Sequence, residues 1–466
     1  MRSRKNIPLI LSLIVCVLVG VAAARADEVD DYVREQMRRR HVPGLALAVV
    51  RDGKLVKARG YGLASVELNV PVRVETVFEI GSVTKQITAA AVMLLAEEGK
   101  LGLDDPLGKH LPGTPDAWGA ITVRHLLTHT SGLKNYTGLR GFELTERLKR
   151  EDFIRLVAAH PLAFAPGDAH AYGNTNYSLL GYVVEAVSGR PYWQFVTERI
   201  FKPLGMNATR DRDPHHLIPN RAVGYEWEDG RLVGRDYDLT DVFSAGATVS
   251  TVLDLVKWDA ALAGEKLLKK SSLEQVWTPT RLNDGTTHPY GLGWYVENVR
   301  GHGRVRHNGQ TAGFAASIAR YREKRVTVIV LTNLGTLGLA GRINQGVAKH
   351  YLPALSLKRL GEQTDPDPQT STRLRSALAE LLAGRVEPAA FTSARAAALS
   401  TANAKESWRE IASYGPLKSL AFVEREPSNK SRTLRYKAAL GEHLLLLKFV
   451  LEDDGRIAEV NVEEEE

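Results

Sequence analysis

The chain has 466 residues, of which 44% are hydrophobic and 25% charged, as in a soluble globular protein with more than one domain. Its formal charge is +7, but residues 1–26 hold four cations and no acid, so the remainder carries only +3. So small a positive surplus does not indicate a nucleic-acid partner. Because the single cysteine is Cys16, the chain after residue 26 has no thiol. Disulfides, a cysteine nucleophile and thiolate metal sites are therefore excluded there.

The first segment has the pattern of a secretory signal peptide. Three cations precede an apolar run at residues 7–24, and Ala24-Arg25-Ala26 is a cleavage site of the A-x-A type. We therefore expect residues 1–26 to be removed and the protein to be periplasmic or secreted. The alternative is a retained membrane anchor, since the apolar run is nearly long enough to span a bilayer.

A β-hairpin is predicted next. Gly44 to Val50 is an apolar run, Arg51-Asp52-Gly53 has the composition of a tight turn, and Lys54 to Ala58 continues as a second strand. The hairpin would place two adjacent strands early in the chain.

Ser82-Val83-Thr84-Lys85 comes directly before a long apolar segment. The run from Ile87 to Ala96 is rich in helix formers and is apolar all round, which predicts a buried central helix. Ser82 and Lys85, three residues apart, would share one face of that helix. An amine within hydrogen-bond reach can take the proton of a hydroxyl and make it a nucleophile. The alternative is an N-cap serine followed by a solvated lysine.

The middle and end of this first region differ in their predicted elements. Residues 105–265 have mostly helical patterns separated by loops rich in Gly, Pro and Asp. Strands are predicted again at residues 291–296, 304–307, 314–321 and 326–331. Strands at both ends with helices between them predict a mixed α/β (α+β) fold. Its antiparallel sheet would be flanked by helices and formed from two halves that meet around a helical insert.

The composition changes after Leu352. Residues 363–369 form a polar segment with prolines, Thr372 to Gly384 has a helical pattern, and residues 417–462 contain about four amphipathic strands. Turns are predicted near Asn429-Lys430, Gly441-Glu442 and Asp453-Asp454-Gly455. We expect a first domain at residues 27–355, a linker at 356–371 and a small α+β domain at 372–466. This last domain resembles a curved sheet of the cystatin or NTF2 type.

Two later motifs complete a pattern with the Ser82–Lys85 pair. They are Tyr172-Gly173-Asn174 and His307-Asn308-Gly309. In this order and at these separations, the motifs resemble those of the serine β-lactamase and penicillin-binding-protein superfamily. The tyrosine motif is similar to that of the branch with class C β-lactamases, D-aminopeptidases and esterases. Leu126 to Leu133 also matches a stretch characteristic of that branch.

The resemblance implies a role for each motif residue. Ser82 would attack a carbonyl to form an acyl-enzyme, Lys85 would be the base and Tyr172 would pass the proton to the leaving group. The residues implied in substrate binding are Asn174, which would also steady Lys85, His307, Gly309 and Gln310. The backbone N–H groups of Ser82 and Gln310 would form the oxyanion hole. No cofactor is implied.

The motifs depart from the family pattern at two positions. Gly173 replaces a common serine, at a position that varies. His307 stands where true β-lactamases usually have a lysine, and histidine is mostly neutral at pH 7. This favours a peptide, amide or ester over a β-lactam. We expect an exported, cofactor-free serine hydrolase acting on a small-molecule or peptide acyl substrate, with peptidoglycan as one candidate source. The alternatives are a β-lactamase and a catalytically silent protein that binds or senses cell-wall peptides.

Two other candidate sites rank lower. Ser131 lies near His129, but Thr130-Ser131-Gly132 is typical of a turn that ends a helix, and no acid or base follows in a triad order. His125 and His129 are four residues apart and could in principle share a metal ion. Because no third ligand with a matching context follows, we expect no metal site.

Overall fold

The computed structural model describes residues 28–139, 148–426 and 432–464. The expected signal peptide lies outside the described residues. The chain divides into two compact units, Met1–Ala348 and Lys349–Glu466. No helix within the described ranges is long and apolar enough to cross a membrane.

The first unit contains fourteen strands, most of them short, and twelve helices among its described residues. The strands are β1 (Gly44–Arg51), β2 (Lys54–Ser65), β3 (Val70–Pro71), β4 (Phe78–Glu79), β5 (Arg210–Asp211), β6 (Gly224–Glu228), β7 (Arg231–Arg235), β8 (Thr248–Ser250), β9 (Thr280–Arg281), β10 (Thr287–His288), β11 (Tyr295–Val299), β12 (His302–Thr311), β13 (Phe314–Tyr321) and β14 (Val326–Thr332). The helices are α1 (28–39), α2 (Thr84–Glu97), α3 (Leu107–His110), α4 (Val123–Leu127), α5 (Arg150–Ala158), α6 (Asn174–Ser188), α7 (Tyr192–Val196), α8 (Lys202–Leu204), α9 (Phe243–Gly246), α10 (Val252–Ala263), α11 (Lys270–Val276) and α12 (Leu339–Tyr351). A 3₁₀ turn at Gly81–Val83 comes directly before α2, and a π-helical turn at Thr197–Phe201 joins α7 to α8.

The main sheet has seven antiparallel strands in the order β11-β12-β13-β14-β1-β2-β3. β1 pairs with β2 on one side and with β14 on the other, so the first hairpin joins the strands from the end of the unit. Every residue of β1 except Arg51 is buried, as expected for a central strand covered on both faces. The predicted fold class, with its two half-sheets and helical insert, is confirmed.

Helix α2 is the buried central helix that the apolar run predicts. All residues from Thr84 to Leu95 are buried. Helices α6 and α9 pack against α2. Because α6 begins at Asn174 and α9 ends next to Ala245, these contacts bring both residues to the N-terminal end of α2.

Two predicted strands have different bounds in the structure. Residues 291–294 form a tight turn instead of a strand, in which Gly291 N–H donates to the Trp294 carbonyl at 2.8 Å. The reason is Gly293, which has φ +77° and lies where a Cβ atom would be 2.8 Å from the Lys85 carbonyl oxygen. The strand predicted at 304–307 extends to His302–Thr311, so the His307 motif lies within β12 and not after it.

The second unit is a small α+β body with its own hydrophobic core. Its elements are α13 (Pro368–Leu382), α14 (Ser393–Leu399), α15 (Ala402–Ala412), β15 (Leu417–Glu426), β16 (Arg432–Leu440), β17 (His443–Leu451) and β18 (Ile457–Glu464). The four strands form one antiparallel sheet in chain order. Helix α13 begins four residues before Thr372, because the Asp367 side chain accepts from Thr370 N–H at 3.1 Å and Pro368 fits the first helical position. The turn predicted at Asn429-Lys430 lies outside the described residues, and the likeness to cystatin or NTF2 stays a prediction.

Candidate active site

Ser82 lies in the 3₁₀ turn that leads into α2, and Lys85 lies in the first turn of that helix. The Lys85 Nζ atom is 3.0 Å from Ser82 Oγ. The three-residue spacing places both side chains on one face, as the helical geometry requires. Ser82 as a whole residue remains partly exposed.

Lys85 is fully buried, with 0% of its surface exposed. Its Nζ atom also bonds to Asn174 Oδ1 at 2.8 Å and to the Ala245 carbonyl oxygen at 2.9 Å. Burial lowers the pKa of the Lys85 amine well below its ordinary value. A neutral amine has two N–H donors and one lone pair, and the two amide oxygens can only accept. In the neutral form, both N–H groups would bond to Asn174 and Ala245, and the lone pair would be left for the proton of Ser82.

Tyr172 completes a group of three around the Ser82 hydroxyl. Its phenol lies close enough to Ser82 for that hydroxyl to lower the pKa of the phenol, but burial has the larger effect and raises this pKa. The Lys85 Nζ atom lies 4.8 Å from the centre of the Tyr172 ring. The residue nevertheless exposes 38% of its surface, so one side of the group opens to solvent.

His129 anchors the loop that carries Tyr172. The Ala171 N–H donates to the His129 carbonyl at 2.9 Å, and the Gly173 N–H lies 3.4 Å from His129 Nδ1. The ring centres of His129 and Tyr172 are 4.4 Å apart. Burial lowers the pKa of His129 well below its ordinary value, so its ring is neutral at pH 7. The residues on both sides of Tyr172 are thus fixed to one buried histidine, Ala171 to its main-chain carbonyl and Gly173 to its ring.

Ser131, the rival nucleophile, has a different partner. Its hydroxyl donates to Asn176 Oδ1 at 2.6 Å, and the Asn176 amide in turn lies 3.1 Å from His129 Nδ1. Ser131 is 1% exposed. Because its proton goes to an amide oxygen in a closed environment, Ser131 lacks both a base and access to a substrate.

His307 lies behind Tyr172, with ring centres 6.1 Å apart. It is 2% exposed, and both ring nitrogens have partners, the Asn308 carbonyl at 2.6 Å from Nδ1 and the Tyr290 hydroxyl at 3.1 Å from Nε2. A carbonyl can only accept, so Nδ1 carries the proton and Nε2 accepts from Tyr290. Burial lowers the pKa of His307 to about 3, so the ring is neutral at pH 7. Contact between His307 and a substrate stays a prediction.

Gly309 and Gln310 lie on an open edge of the main sheet. Strand β12 pairs with β11 only as far as Arg306, and the turn that carries Ser82 lies against the edge beyond it. A Cβ atom on Gly309 would be 1.8 Å from the Ile80 carbonyl oxygen and 3.0 Å from Ser82 N. A Cβ atom on Gly81 would be 2.6 Å from Gln310 N. Glycine at both positions therefore lets the two segments that carry the backbone nitrogens of Ser82 and Gln310 pack closely together.

The structure adds two residues, Ala245 and Tyr290, that the sequence did not single out. Ala245 contributes a main-chain oxygen, and a main-chain contact leaves no side-chain signal in the sequence. Tyr290 comes from a segment with no regular periodicity. His129 was detectable, since it lies inside the stretch from Leu126 to Leu133 that resembles the family.

The histidine pair considered for a metal ion has other contacts. His125 caps α4, where its Nδ1 atom lies 3.3 Å from Thr122 N and its own N–H donates to the Thr122 hydroxyl at 3.2 Å. In the described part of the chain, we find no group of three or more His, Cys, Asp or Glu side chains that could hold a metal ion.

Comparisons with known proteins agree with this arrangement. The family model described as "Beta-lactamase" matches residues 29–351. Penicillin-binding protein 4* of Bacillus subtilis (strain 168) is 32% identical over 318 residues, which cover 64% of this chain and 70% of that protein. The octameric penicillin-binding protein homologue from Pyrococcus abyssi has a TM-score of 0.62 at 24% identity, over 94% of this chain and 98% of that chain. A D-stereospecific amidohydrolase from Streptomyces sp. has a TM-score of 0.55 at 27% identity, over 65% of this chain and 94% of that chain. The chain belongs to the beta-lactamase family of serine hydrolases.

Proposed function

We propose that this protein is an exported hydrolase that forms an acyl-enzyme on Ser82 and acts on a peptide, amide or ester carbonyl of the D-amino-acyl type. The observation that carries the proposal is the environment of the Lys85 amine. It is fully buried, two of its three hydrogen bonds go to oxygens that can only accept, and the third goes to Ser82. No ion pair to Lys85 occurs among the described residues, and burial disfavours the charged form of the amine.

In the proposed reaction, the Ser82 oxygen attacks the carbonyl carbon while its proton moves to the Lys85 Nζ atom. The new C–O bond makes a tetrahedral intermediate whose negative oxygen accepts from the N–H groups of Ser82 and Gln310. Tyr172 then relays the proton from the amine to the leaving nitrogen or oxygen as the old bond breaks. A water molecule repeats the sequence on the acyl-enzyme, so the net reaction is hydrolysis and the side chains return to their first state.

Three features support an amide or ester substrate. His307 is neutral, so the third motif offers no permanent cation to a substrate carboxylate. The Asn174 carbonyl oxygen is bonded to Lys85, which leaves its amide N–H₂ to donate to a substrate carbonyl. One structural relative at 27% identity is a D-stereospecific amidohydrolase.

We also propose export through the N-terminal segment. The support is the cationic start, the apolar run at residues 7–24 and the small-residue site Ala24-Arg25-Ala26. Fractionation of expressing cells and N-terminal sequencing test this directly. Recovery outside the cytoplasm with Asp27 as the first residue is expected, whereas a cytoplasmic protein that still begins at Met1 would refute export.

The catalytic proposal is tested with a fluorophosphonate probe followed by a substrate panel. Mass spectrometry should find the label on Ser82, and Ser82→Ala should remove it. The panel contains p-nitrophenyl esters, D-amino acid amides, D-alanyl-D-alanine peptides and nitrocefin, and we expect turnover of the esters and amides to exceed that of nitrocefin. A protein that takes no label and hydrolyses none of these substrates, yet binds cell-wall peptides, would instead be the catalytically silent binding protein of the alternative hypothesis.

A further inference from the structure

We propose that Glu79 and Thr311 are positioning residues that hold the two halves of the oxyanion hole at a fixed distance. This inference rests on the proposed function, since it assigns to the pair the spacing between the Ser82 and Gln310 N–H groups. Neither side chain is part of the Ser82, Lys85 and Tyr172 group.

The pair connects the two segments that carry those donors. Glu79 lies on β4, three residues before Ser82, and Thr311 is the residue after Gln310 on β12. The Thr311 hydroxyl donates to Glu79 Oε2 at 2.7 Å. One hydrogen bond thus joins the chain just before the nucleophile to the chain just after the second donor.

Other contacts between these segments do not fix their separation. Gly81 and Gly309 let the two backbones approach closely, but glycine contributes no side chain to hold them there. Among the backbone hydrogen bonds found in the described residues, none joins residues 80–83 to β12. The side chain of Gln310 bonds away from Ser82, to the Gly335 carbonyl at 2.7 Å. The bond between Thr311 and Glu79 is therefore the directional link between the two strands of the site.

The Glu79 carboxylate is itself held rigidly. Its side chain is 2% exposed, and its second oxygen, Oε1, accepts from Arg212 Nε at 3.0 Å. Arg212, 6% exposed, also bonds to Asp236, which accepts from both terminal nitrogens of Arg221 at 2.9 and 3.0 Å. Both carboxylate oxygens are thus occupied, and a buried charged group with satisfied partners resists displacement.

Such rigidity matters because an oxyanion hole acts only when both donors reach the position of the developing charge. A misplacement of about 1 Å in a reacting group can cost about 10²-fold in rate. Loss of the Glu79–Thr311 bond should therefore slow the chemical step and leave the ground-state binding of a substrate largely unchanged.

The test compares Thr311→Val, which keeps the shape and removes the hydroxyl, with Thr311→Ser, which keeps the hydroxyl. On a p-nitrophenyl ester, Thr311→Val should lower kcat by about 10-fold to 10²-fold, with KM changed by less than about 3-fold. Affinity for a boronic acid, which forms a tetrahedral adduct on the serine, should fall in parallel. Thr311→Ser should stay within about 3-fold of the unaltered protein for all three quantities.

A second pair of variants tests the link from its other side. Glu79→Met, which cannot accept from Thr311, should lower kcat at least as much, and the double variant Glu79→Met/Thr311→Val should lose no more than the worse single variant, because both substitutions remove the same bond. Equal kcat for Thr311→Val and Thr311→Ser, or multiplied losses in the double variant, would overturn the inference. If the unaltered protein has no turnover and no label on Ser82, the proposed function fails instead.

Discussion

The buried amine of Lys85 is the group on which the proposed reaction depends, and its position costs stability. At pH 7 the unfolded chain carries a protonated lysine at this position, because the ordinary pKa is near 10.5, whereas burial lowers the pKa in the folded state well below that value. At any pH between the folded and the unfolded pKa values, unfolding therefore takes up a proton. The folded state gains stability as pH rises toward 10.5 and is penalised below it.

Lys85→Met should accordingly separate stability from activity. We expect turnover to fall by at least about 10², since the base is lost. The free energy of unfolding at pH 7 should rise, because burial disfavours the charged form of the lysine that the variant removes. Urea unfolding and ester hydrolysis measure the two effects, and Lys54→Met, at an exposed lysine, is the control. A variant that is both less stable and fully active would contradict this account of the amine.

Tyr172→Phe removes the phenol that contacts Ser82 and keeps the ring near Lys85 and His129. Because the relay to the leaving group is lost, turnover of an amide should fall by about 10² or more at pH 7. Thermal unfolding should shift little. Tyr237→Phe, at a tyrosine with 51% exposure, is the matched control. Amide turnover equal to that of the unaltered protein would remove Tyr172 from the mechanism.

At the scale of elements, the approach of β12 to the turn that carries Ser82 sets the shape of the site. Gly309→Ala should abolish activity, since its Cβ atom would be 1.8 Å from the backbone oxygen of Ile80 and one of the two segments must move. Gly361→Ala, where no atom lies within 4 Å, should change nothing. Circular dichroism and ester turnover compare the two variants, and an active Gly309→Ala protein would show that the contact is not required.

How far the sequence predicts these elements depends on whether the information is local. The β1–β2 hairpin and α2 were predictable because a glycine turn and an uninterrupted apolar run specify them without other parts of the chain. The turn at residues 291–294 was not, because it depends on the contact of Gly293 with the backbone of Lys85, some two hundred residues earlier. The grouping of Ser82, Lys85 and Tyr172 followed from motif order. The Ala245 oxygen that bonds to Lys85 was not predictable, because a main-chain atom leaves no pattern in the sequence.

At the scale of the whole molecule, the first unit buries neutral histidines around its site. Burial lowers the pKa of His307 to about 3 and that of His170 to about 4. Below about pH 6.5 the unfolded chain protonates these rings and the folded chain does not. Stability is therefore unaffected by them above pH 6.5 and is lost progressively as pH falls from there toward 4 and 3.

This predicts a measurable slope in stability between pH 6 and pH 5. Each ring that stays neutral on folding contributes up to about 1.4 kcal/mol per pH unit to the loss. His307→Gln, which removes a buried ring, should lower the slope by about that amount. Urea titrations at three pH values measure the slope, and an identical slope in His307→Gln would contradict the buried neutral ring.

The second unit has a core of its own, and every candidate site residue lies in the first unit. Leu447→Ala, at a residue with 0% exposure in β17, should destabilise the second unit by about 2 to 5 kcal/mol. Turnover of a small ester should persist. Loss confined to long peptide substrates would indicate that the second unit holds the substrate, and equal loss on both would argue against it.

The most direct test is the charge on the Lys85 amine itself. Lysine labelled with ¹⁵N at Nζ allows each amine to be followed by NMR as pH is varied, and Lys85→Met identifies the signal of Lys85 by its absence. The account predicts one lysine that remains an uncharged amine at pH 7, missing in Lys85→Met. A spectrum in which every lysine of the intact protein is an ammonium ion at pH 7 would contradict it.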